Sequence, residues 1–455
     1  MPDRSLQPAP LDHIPFDLPE IEIIDTPAGN RIYYCSQGKL PVVRYNVVTD
    51  CGSKDDPAGW EGLCNLMAVL LDENAAGMDS FRISDEFAMI GARFKIESAT
   101  ESVNFGLQSL SEMLEKGIEL MSKIYFDPGF TESDFEREKQ REIAGLMHMK
   151  TSPKSISGVV FDKLFYGSGS VYSRPEHGYL NTVEKISNND IREFYNRNFR
   201  GRYRSFLVTG RADKQEIITL TDKYFGRQEA AGVTHSTDPE NTEFRGKIYL
   251  TDFPGALQSE IYVAQLLPPP PSDELRAMML VNYILGGQFS SRLNMNLREK
   301  NGYTYGVHSN VTSLKYHSVI ITEGSFDTQK TSGALTEIIS EYSRIAQDFS
   351  EKELNEAKDY FTKANRLRFE TTGQSVLALN AIRRYGFPTD YYKKYADLIN
   401  AVTYDQCLAV INKFLNPDNL FISVTGDKVN VIDELREKFP GREVVLTDAE
   451  GNLVQ

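Results

Sequence analysis

Segments of helical length and apolar segments of strand length follow one another twice along the chain, in the same order. A helix is predicted over residues 188–199, and the apolar run 205–210 after it has the length of a buried strand. The second half repeats this succession, with a helix predicted over Tyr404–Phe414 and a strand over residues 420–426. Because both predicted strands end in Val-Thr-Gly, we interpret the two stretches as copies of one unit.

The beginnings of the two halves also match. Residues 40–49 and Gln258–Leu267 each predict a strand, followed by a turn and an apolar helix. A repeat of about 210 residues is far longer than the roughly 20–50 residues of solenoid units, so it predicts a duplicated domain. Strands and helices mix within each half without strict alternation, which favours the α+β class. We therefore predict two tandem homologous domains, each a mainly antiparallel sheet packed with helices.

The composition of the chain indicates where these domains begin and end. Residues 1–20 are rich in proline and predict an extended N-terminal arm. Residues 227–245 are rich in small and acidic side chains without apolar periodicity, which is typical of a linker. The first domain is therefore predicted to span residues 21–226. The second is predicted to span residues 246–445, followed by a C-terminal tail over residues 446–455.

The balance of charged and apolar residues excludes several classes of protein. The 455 residues include 50 Lys and Arg against 64 Asp and Glu, a formal net charge of −14. A general nucleic-acid-binding protein needs a cationic surface, so we expect no nucleic-acid partner. Hydrophobic residues make up 40% of the chain, which is enough for packed cores. The four cysteines and six histidines, without H-x₃-H spacing, predict neither a disulfide framework nor a zinc ribbon.

The distribution of apolar residues also bears on location. No apolar run approaches the ~20 residues that a membrane-spanning helix needs, so we expect no membrane partner. The start of the chain lacks a basic region followed by an apolar stretch, which is the pattern of a secretory signal peptide. We therefore expect a cytoplasmic protein, or a periplasmic one if a leader has been removed.

Residues 62–72 carry apolar side chains at the spacing of an amphipathic helix. These side chains are Leu63, Leu66, Met67, Leu70 and Leu71. The stretch 61–71 resembles the zinc helix of the pitrilysin/insulinase family of metallopeptidases, in which Gly-Leu-x precedes an inverted H-x-x-E-H motif. In that family the two histidines bind zinc, and the glutamate acts as the base on the zinc-bound water. The resemblance also implies a fold like that of the mitochondrial processing peptidase.

The resemblance places three residues without metal-binding chemistry at the motif positions. Asn65 and Val69 stand where the family has histidines, and Ala68 stands where it has the glutamate. The family's third ligand is a glutamate on a later helix, and the stretch 138–145 puts Gly145 at that position. All three ligands and the base are therefore missing. The resemblance implies that this chain holds no zinc or other cofactor, and that the first helix serves packing alone.

Residues 286–307 predict a helix followed by a strand. A serine caps the helix, two leucines four residues apart form its inner face, and a glycine ends it. A strand then follows, because aromatic and apolar residues alternate on one face. The residues concerned are Ser290 or Ser291, Leu293 and Leu297, Asn301 and Gly302, and then Tyr303, Tyr305 and Val307.

This segment resembles the second-half motif of the same family, which has the form S-R-L-x-x-x-L-R-x-x-x-G-x-x-Y. The family's functional arginine and tyrosine fall on Arg298 and Tyr305. In active members this pair reaches the substrate beside the zinc, where a hydroxyl and a guanidinium can stabilise the oxyanion formed at the peptide carbonyl. From the residues alone, Tyr305 could instead be a core aromatic of the strand, and Arg298 a solvated cation at the helix end.

Residues 90–97 correspond to the edge strand that follows the zinc helix in this family. Active members have a pattern like G-G-x-x-N-A-x-T there, and its backbone pairs with the substrate as an added strand. This sequence lacks the Asn-Ala pair, although its alternation still predicts a strand. We therefore predict an edge strand over these residues and assign it no role in substrate binding.

A chain without zinc ligands that keeps the arginine and tyrosine resembles one subunit of the family's bacterial two-subunit peptidases. One chain of such an enzyme holds the zinc motif, and the other supplies the arginine and tyrosine across an enclosed chamber. The resemblance implies that this chain is the non-zinc subunit of a heterodimeric metallopeptidase, with the zinc in a homologous partner. We expect it to be inactive alone and to help cleave short or unfolded peptides with that partner.

The alternative is a non-catalytic structural or substrate-recognition subunit. Such a chain would resemble the core proteins of respiratory complexes or the regulatory chain of the mitochondrial processing peptidase. That regulatory chain carries a long glycine-rich loop, whereas this sequence has only Gly286 and Gly287 in the equivalent region. In isolation the chain is also expected to be able to form a homodimer, because members of the family share the same facing surfaces.

Overall fold

The computed structural model describes residues 17–454 apart from residues 168, 229–240 and 242. Within this part of the chain, two six-stranded sheets form the frame of the molecule. The predicted N-terminal arm lies outside the described residues up to residue 16, and so does the central part of the predicted linker. The domain boundaries given above stay predictions.

The first half of the described chain supplies the first sheet and most of the helices around it. Its strands are β1 (Glu22–Asp25), β2 (Arg31–Ser36), β3 (Val42–Thr49), β4 (Asn74–Ala75), β5 (Met78–Asp79), β6 (Arg93–Ser98), β7 (Val103–Leu110) and β8 (Arg204–Gly210). Its helices are α1 (Leu63–Leu70), α2 (Ser80–Met89), α3 (Leu114–Phe126), α4 (Glu132–Met149), α5 (Pro153–Tyr166), α6 (Leu180–Val183), α7 (Asn188–Phe194) and α8 (Lys214–Phe225). The short strands β4 and β5 pair with each other as a separate two-stranded hairpin.

The second half of the described chain supplies the second sheet. Its strands are β9 (Lys247–Asp252), β10 (Gln258–Leu267), β11 (Val307–Ser313), β12 (Ser318–Asp327), β13 (Phe421–Gly426) and β14 (Glu443–Thr447). Its helices are α9 (Asp273–Leu285), α10 (Thr331–Asp348), α11 (Glu351–Ala364), α12 (Thr372–Tyr385), α13 (Tyr395–Asn400), α14 (Tyr404–Phe414) and α15 (Lys428–Lys438).

The two sheets share one topology. The first has the order β1-β2-β8-β3-β7-β6. Counted from the opposite edge, the second has the order β14-β9-β13-β10-β12-β11, so the last five strands of the two orders correspond one to one. The pair β2–β8 of the first sheet and the pair β9–β13 of the second sheet are both parallel. The other pairs among these five strands are antiparallel in both sheets. The sheets differ at one outer strand, because β1 runs antiparallel to β2 whereas β14 runs parallel to β9. The predicted duplication and the predicted α+β class are confirmed.

The elements predicted from the apolar pattern are present in the structure. The bounds of β10 and α14 are those predicted, and β3, β8 and β13 differ from prediction by one or two residues at their starts. The helix predicted over residues 188–199 is α7, which widens into a π-helical turn over Tyr195–Phe199. The edge strand predicted over residues 90–97 is present as β6, the outermost strand of the first sheet, but it begins three residues later, after a turn.

A helix from the second half covers one face of the first sheet. Every residue of β8 is buried, as expected of a strand that is covered on both faces. Helices of the first half cover one face, and α12 packs on β2, β3 and β8 at the other. Leu379 and Ile382 of α12 belong to one buried cluster with Cys35 of β2 and Leu207 of β8.

The second sheet receives a helix from the first half in return. α5 packs on β10 and β13, and the rings of Phe161 and Phe165 both contact the ring of Phe421 edge-on. The hydroxyl of Ser157 on the same helix hydrogen-bonds to the hydroxyl of Thr425 at 2.8 Å. Because each half buries apolar surface of the other, this exchange of helices couples the stability of the two halves.

The four cysteines are buried and free. Among the described residues, no helix combines the length and the apolar composition needed to cross a membrane.

Candidate functional site

α1 begins at a left-handed glycine that a buried carboxylate holds in place. Gly62 precedes the helix with a φ of +96°, a conformation that glycine adopts without a Cβ penalty. The N–H groups of Gly62 and Cys64 donate to the two carboxylate oxygens of Asp56, at 2.9 and 2.8 Å. Burial raises the pKa of Asp56 to about 8. The sequence reasoning missed Asp56, although the turn-forming run Asp-Pro-Ala-Gly that begins there was a usable signal.

The packing role predicted for α1 is confirmed. All five side chains of the predicted apolar face are buried, namely Leu63, Leu66, Met67, Leu70 and Leu71. Ala68 is buried in the same core, whereas Val69 is partly exposed on the surface of the helix. Neither of these two side chains has an atom that can bind a metal or accept a proton.

Asn65 is the one motif position on α1 that takes part in a polar cluster. It is buried, and its Oδ1 accepts a hydrogen bond from the Ser98 hydroxyl of β6 at 2.7 Å. Its Nδ2 lies 3.3 Å from Glu142 Oε2 and also 3.3 Å from His177 Nδ1. The cluster therefore joins α1, the edge strand β6, α4 and the loop before α6.

His177 and Glu142 form an ion pair within this cluster. His177 Nδ1 lies 2.8 Å from Glu142 Oε1, and this bond raises the pKa of His177 above its ordinary value, against a smaller opposing effect of burial. A nitrogen that donates to Glu142 cannot also accept from Asn65, so Nδ2 of Asn65 donates to the other oxygen of Glu142. The sequence reasoning missed both residues. The only available signal was that Glu142 lies one turn before Gly145 on the same helix.

Zinc does not fit this cluster. A zinc site with protein ligands needs at least three nitrogen, oxygen or sulfur donors, and this cluster offers one imidazole and one carboxylate that already bind each other. Gly145 has no side chain, and a Cβ built there would meet no atom within 4 Å. Across the described residues, no three His, Cys, Asp or Glu side chains come together in a way that could hold a metal ion.

The helical part of the second-half segment forms as predicted, apart from its start and its winding. In the described part of the chain, no side chain makes a capping hydrogen bond at its start, so the predicted cap by Ser290 or Ser291 is wrong. Leu293 and Leu297 are buried in the core of the second half, and Gly302 follows the helix with a φ of +63°. The chain over Asn294–Lys300 is a π-helical turn rather than an α-helix. Such wider turns appear mostly as single turns and frequently at functional sites.

The strand predicted over Tyr303 and Tyr305 is wrong, because β11 begins only at Val307. The backbone before it turns back to the helix, since the Tyr303 N–H donates to the Leu297 carbonyl at 2.8 Å. These residues therefore form a short loop instead of extending the ladder with β12.

Tyr305 stands out from this loop into solvent. Its side chain is 94% exposed, which excludes the alternative that it is a core aromatic. Arg298 lies one-third exposed, with its guanidinium carbon 4.3 Å from the centre of the Phe289 ring. Nη1 of Arg298 is buried and makes no hydrogen bond within the described part of the chain, although Glu299 Oε1 lies 3.4 Å away. Arg298 is therefore a stacked and partly unsatisfied cation.

Two polar side chains anchor the ends of the loop that carries Tyr305. Asn294 donates to the Val307 carbonyl at 2.8 Å and accepts from the Val307 N–H at 3.1 Å, which joins the π-helical turn to β11. The hydroxyl of Thr304 donates to the Ser325 carbonyl at 2.7 Å and accepts from the N–H of Gly306 at 3.1 Å. The sequence reasoning missed Asn294, Thr304 and Phe289, which lie within the segment that it singled out.

Arg292, the arginine of the S-R-L triplet, has a structural role. It forms a bidentate ion pair with Glu353 at 2.8 Å and also contacts Asp348, so it fixes the π-helical turn on the junction of α10 and α11. Burial of Glu353 opposes its ionisation, but the hydrogen bonds from Arg292 and Ser350 outweigh burial and lower its pKa.

The structure keeps the two groups of predicted site residues apart. Asn65 meets Glu142 in the first half, while Arg298 and Tyr305 lie on one helix and the loop after it in the second half. Among the described residues, no hydrogen bond or ion pair links Arg298 or Tyr305 to Asn65, Glu142 or His177. In the part of the chain that the structure describes, the second group has no catalytic partner.

Two family models match the chain, one in each half. Residues 32–165 match the model described as insulinase (peptidase family M16), and residues 185–361 match the model described as peptidase M16 inactive domain. Together they cover more than half of the residues. The chain belongs to peptidase family M16. A solved structure described as a peptidase M16 inactive domain from Pseudomonas fluorescens is 22% identical, with a TM-score of 0.83 over 90% of this chain and 98% of that one.

M16 relatives of this chain carry descriptions of several kinds. A Bacillus subtilis protein described as an uncharacterized zinc protease, YmxG, is 22% identical over 76% of this chain and 84% of that protein. A Helicobacter pylori protein described as a non-peptidase homolog, YmxG, is 18% identical over 81% of this chain and 85% of its own length. Subunit 1 of the mitochondrial cytochrome b-c1 complex from Bos taurus is 22% identical over 46% of this chain and 43% of that subunit.

Proposed function

We propose that this M16 chain is the zinc-free subunit of a two-chain peptidase, and that it supplies Arg298 and Tyr305 to the zinc site of a homologous partner. The partner would carry the H-x-x-E-H helix that this chain lacks. The substrate would be a short or unfolded peptide held in a chamber between the two subunits. The chain alone would then have no peptidase activity.

The observation that carries the proposal is the exposure of Tyr305 on an anchored loop. Asn294 and Thr304 fix the two ends of the loop by hydrogen bonds to neighbouring strands. The side chain of Tyr305 nevertheless buries almost none of its surface. An exposed aromatic ring adds little to the stability of this chain, so contact with a second molecule explains it better than packing does.

Arg298 supports the same proposal. Its Nη1 is a buried donor that makes no hydrogen bond, although Glu299 Oε1 lies 3.4 Å away, and such a group costs free energy until it is fully paired. A peptide carbonyl oxygen that gains negative charge during attack is a suitable acceptor, and the hydroxyl of Tyr305 is a second donor for it. Donors that are fixed before the reaction stabilise this charge without reorganisation. The stacking of Arg298 on Phe289 supplies part of that fixation.

The test is peptide hydrolysis by this chain together with an H-x-x-E-H-bearing homologue from the same genome. We expect hydrolysis only when both chains are present. Loss of one oxyanion donor costs roughly 10²–10³-fold in kcat, so Arg298→Ala and Tyr305→Phe should each lower kcat by about this factor. The matched controls are Arg197→Ala and Tyr360→Phe, both at exposed positions on other helical segments. Unchanged hydrolysis in both site variants would contradict the proposed role.

The second candidate function is that of a non-catalytic subunit. The observation in its favour is the similarity to subunit 1 of the cytochrome b-c1 complex. The polar cluster of Asn65, Glu142 and His177 is also compatible with a chain that has only a structural role. In that case a stable complex with the partner would form, and the Arg298 and Tyr305 variants would hydrolyse peptides as fast as the unmodified complex. The same assay therefore separates the two functions.

A further inference from the structure

α12 covers only part of one face of the first sheet. α12 lies over β2, β8 and β3, and beyond it β3, β7 and β6 present polar side chains. A groove of about 1190 Å³ runs between this part of the sheet and α12. Its floor includes Arg44, Asn46 and Gln108, and its wall includes Gln374 and Asn380. This volume is large enough for an extended peptide segment.

Arg44 is an unpaired cation in this groove. Its Nε is buried without a hydrogen-bond partner, and within the described residues its guanidinium makes no hydrogen bond or ion pair. Lys95 binds Glu97 and Arg384 binds Glu101, whereas Arg93 and Asp72, which also line the groove, have no ion pair among the described residues. An arginine has five donors in a fixed fork, and buried donors without acceptors are costly. The groove therefore has an unfilled requirement for an anionic acceptor.

The beginning of α12 adds to this requirement. The guanidinium of Arg44 lies against Gly373, where a Cβ would come within 3.7 Å of its Cζ. Thr371 caps the N–H of Gln374, but the first two N–H groups of the helix have no acceptor within the helix. A cation beside the positive end of a helix is an unfavourable arrangement, and a carboxylate bound to both would reverse it.

Asn46 supplies a second, independent observation. It is only 5% exposed, and its Nδ2 donates to Asn104 Oδ1 at 3.0 Å, while its own Oδ1 is buried without a partner. Asn46 lies two residues from Arg44 on the same face of β3, about 7 Å along the strand. Gly106 is its partner on β7, so no side chain covers the floor beside it. This position requires an N–H donor.

We propose that the groove is a binding site for a carboxylate carried on an extended peptide. The carboxylate binds Arg44 and the first N–H groups of α12, and a peptide N–H further along the ligand donates to Oδ1 of Asn46. Either a free C-terminus or an acidic side chain supplies this chemistry. The site requires neither Arg298 nor a zinc-bearing partner, so it stands or falls separately from the proposed function.

The test is calorimetric titration of the isolated full chain with three short N-acetylated alanine–serine peptides. One has a free C-terminus, one is amidated, and one is amidated with a single internal glutamate. We expect the free acid to bind at least tenfold more tightly than the neutral amide, and to weaken as ionic strength rises. The glutamate peptide identifies the source of the carboxylate. Tight binding by this peptide assigns a side-chain carboxylate as well, and weak binding assigns the C-terminus alone.

The variant Arg44→Gln should abolish the preference for the free acid, whereas Arg197→Gln, at an exposed arginine outside the groove, should retain it. Thermal melting of both variants establishes that they are folded. If Arg44→Gln unfolds, the comparison of the three peptides on the unmodified chain still decides the matter. If neither carboxylate-bearing peptide binds more tightly than the neutral amide, or if a folded Arg44→Gln keeps the preference for a carboxylate, the proposal is overturned.

Discussion

His177 Nδ1 lies 2.8 Å from Glu142 Oε1, and this ion pair ties the loop before α6 to α4, beside α1. Asn65 of α1 donates to the other oxygen of the same carboxylate. Three segments are thus held together by one carboxylate and its two hydrogen-bond donors. Because one of these donors is a histidine, the strength of the link depends on pH.

We expect His177→Gln to lower the melting temperature more in mildly acidic buffer than in alkaline buffer. The bond to Glu142 raises the pKa of His177 above its ordinary 6.5. A group whose pKa is raised on folding contributes stability that is fully present below the unfolded value and is lost as pH rises through the folded value. The His177 side chain is half exposed, so the effect is modest. Thermal melting of the unmodified protein and of His177→Gln, from mildly acidic to alkaline pH, measures this difference in melting temperature.

His148→Gln is the matched control for this experiment, since His148 lies on the same helix α4 and is exposed. Its melting profile should follow that of the unmodified protein at every pH. A deficit in His177→Gln that stays constant or grows with rising pH would contradict an ion pair with Glu142.

Gly145→Ala should stabilise the protein. Gly145 lies inside α4, and an added Cβ would meet no atom within 4 Å. Replacing glycine by alanine in an exposed helix interior gains about 0.5–1 kcal/mol, because the unfolded chain has less backbone freedom to lose. The contrast is Gly62→Ala, where φ is +96° and the Cβ would lie 2.8 Å from the His177 carbonyl oxygen, so stability should fall. Urea unfolding of the two variants should therefore give changes of opposite sign.

The fold could be predicted from the sequence because its signals are local and occur twice. Apolar runs such as Gln258–Leu267 have strand length, and the repeated Val-Thr-Gly ends mark corresponding strands. The exchange of α5 and α12 between the halves could not be predicted, because it depends on which exposed sheet face a distant helix covers. The apolar periodicity of a helix indicates that one face is buried, but not which sheet buries it.

The candidate site was predicted less completely than the fold. A linear motif pointed to Arg298 and Tyr305, but the strand expected at Tyr305 does not form. The Tyr303 N–H bonds to the Leu297 carbonyl of the helix, and the Thr304 side chain, rather than a regular backbone ladder, holds the loop to β12. Residues far apart in the sequence that meet only in the folded chain, such as His177 and Glu142, leave no periodic or spaced pattern in the sequence. Their contact can be identified only from the structure.

Leu379→Ala should destabilise both halves of the protein. Leu379 of α12 is fully buried against the first sheet, and large-to-small changes at such sites cost about 2–5 kcal/mol. Leu377 lies on the same helix but is exposed, so Leu377→Ala should change stability by less than about 0.5 kcal/mol. Denaturant unfolding, followed by signals from each half, measures both. A loss confined to the second half would contradict coupling of the halves through α12.

Phe289→Ala should weaken catalysis by the proposed two-chain enzyme without removing either proposed donor. The ring of Phe289 lies 4.3 Å from the guanidinium carbon of Arg298, and a partly exposed cation–π contact is worth roughly 0.5–2 kcal/mol. Loss of this support should let the guanidinium move and lower kcat by about two- to thirtyfold, since 1.4 kcal/mol corresponds to a factor of ten.

Steady-state kinetics of the complex separates this positioning role from a role in docking. Phe289→Tyr retains an aromatic face and should preserve kcat, whereas Phe289→Leu retains only apolar volume and should resemble Phe289→Ala. Phe81→Ala, at an exposed phenylalanine on α2, is the control and should leave both kinetic constants unchanged. If Phe289→Ala and Phe289→Leu raise KM while kcat stays constant, the ring contacts the substrate or the partner and does not hold Arg298 in position. In that outcome the orientation of Arg298 would have to come from its burial beside Glu299, and Glu299→Gln becomes the variant that should lower kcat.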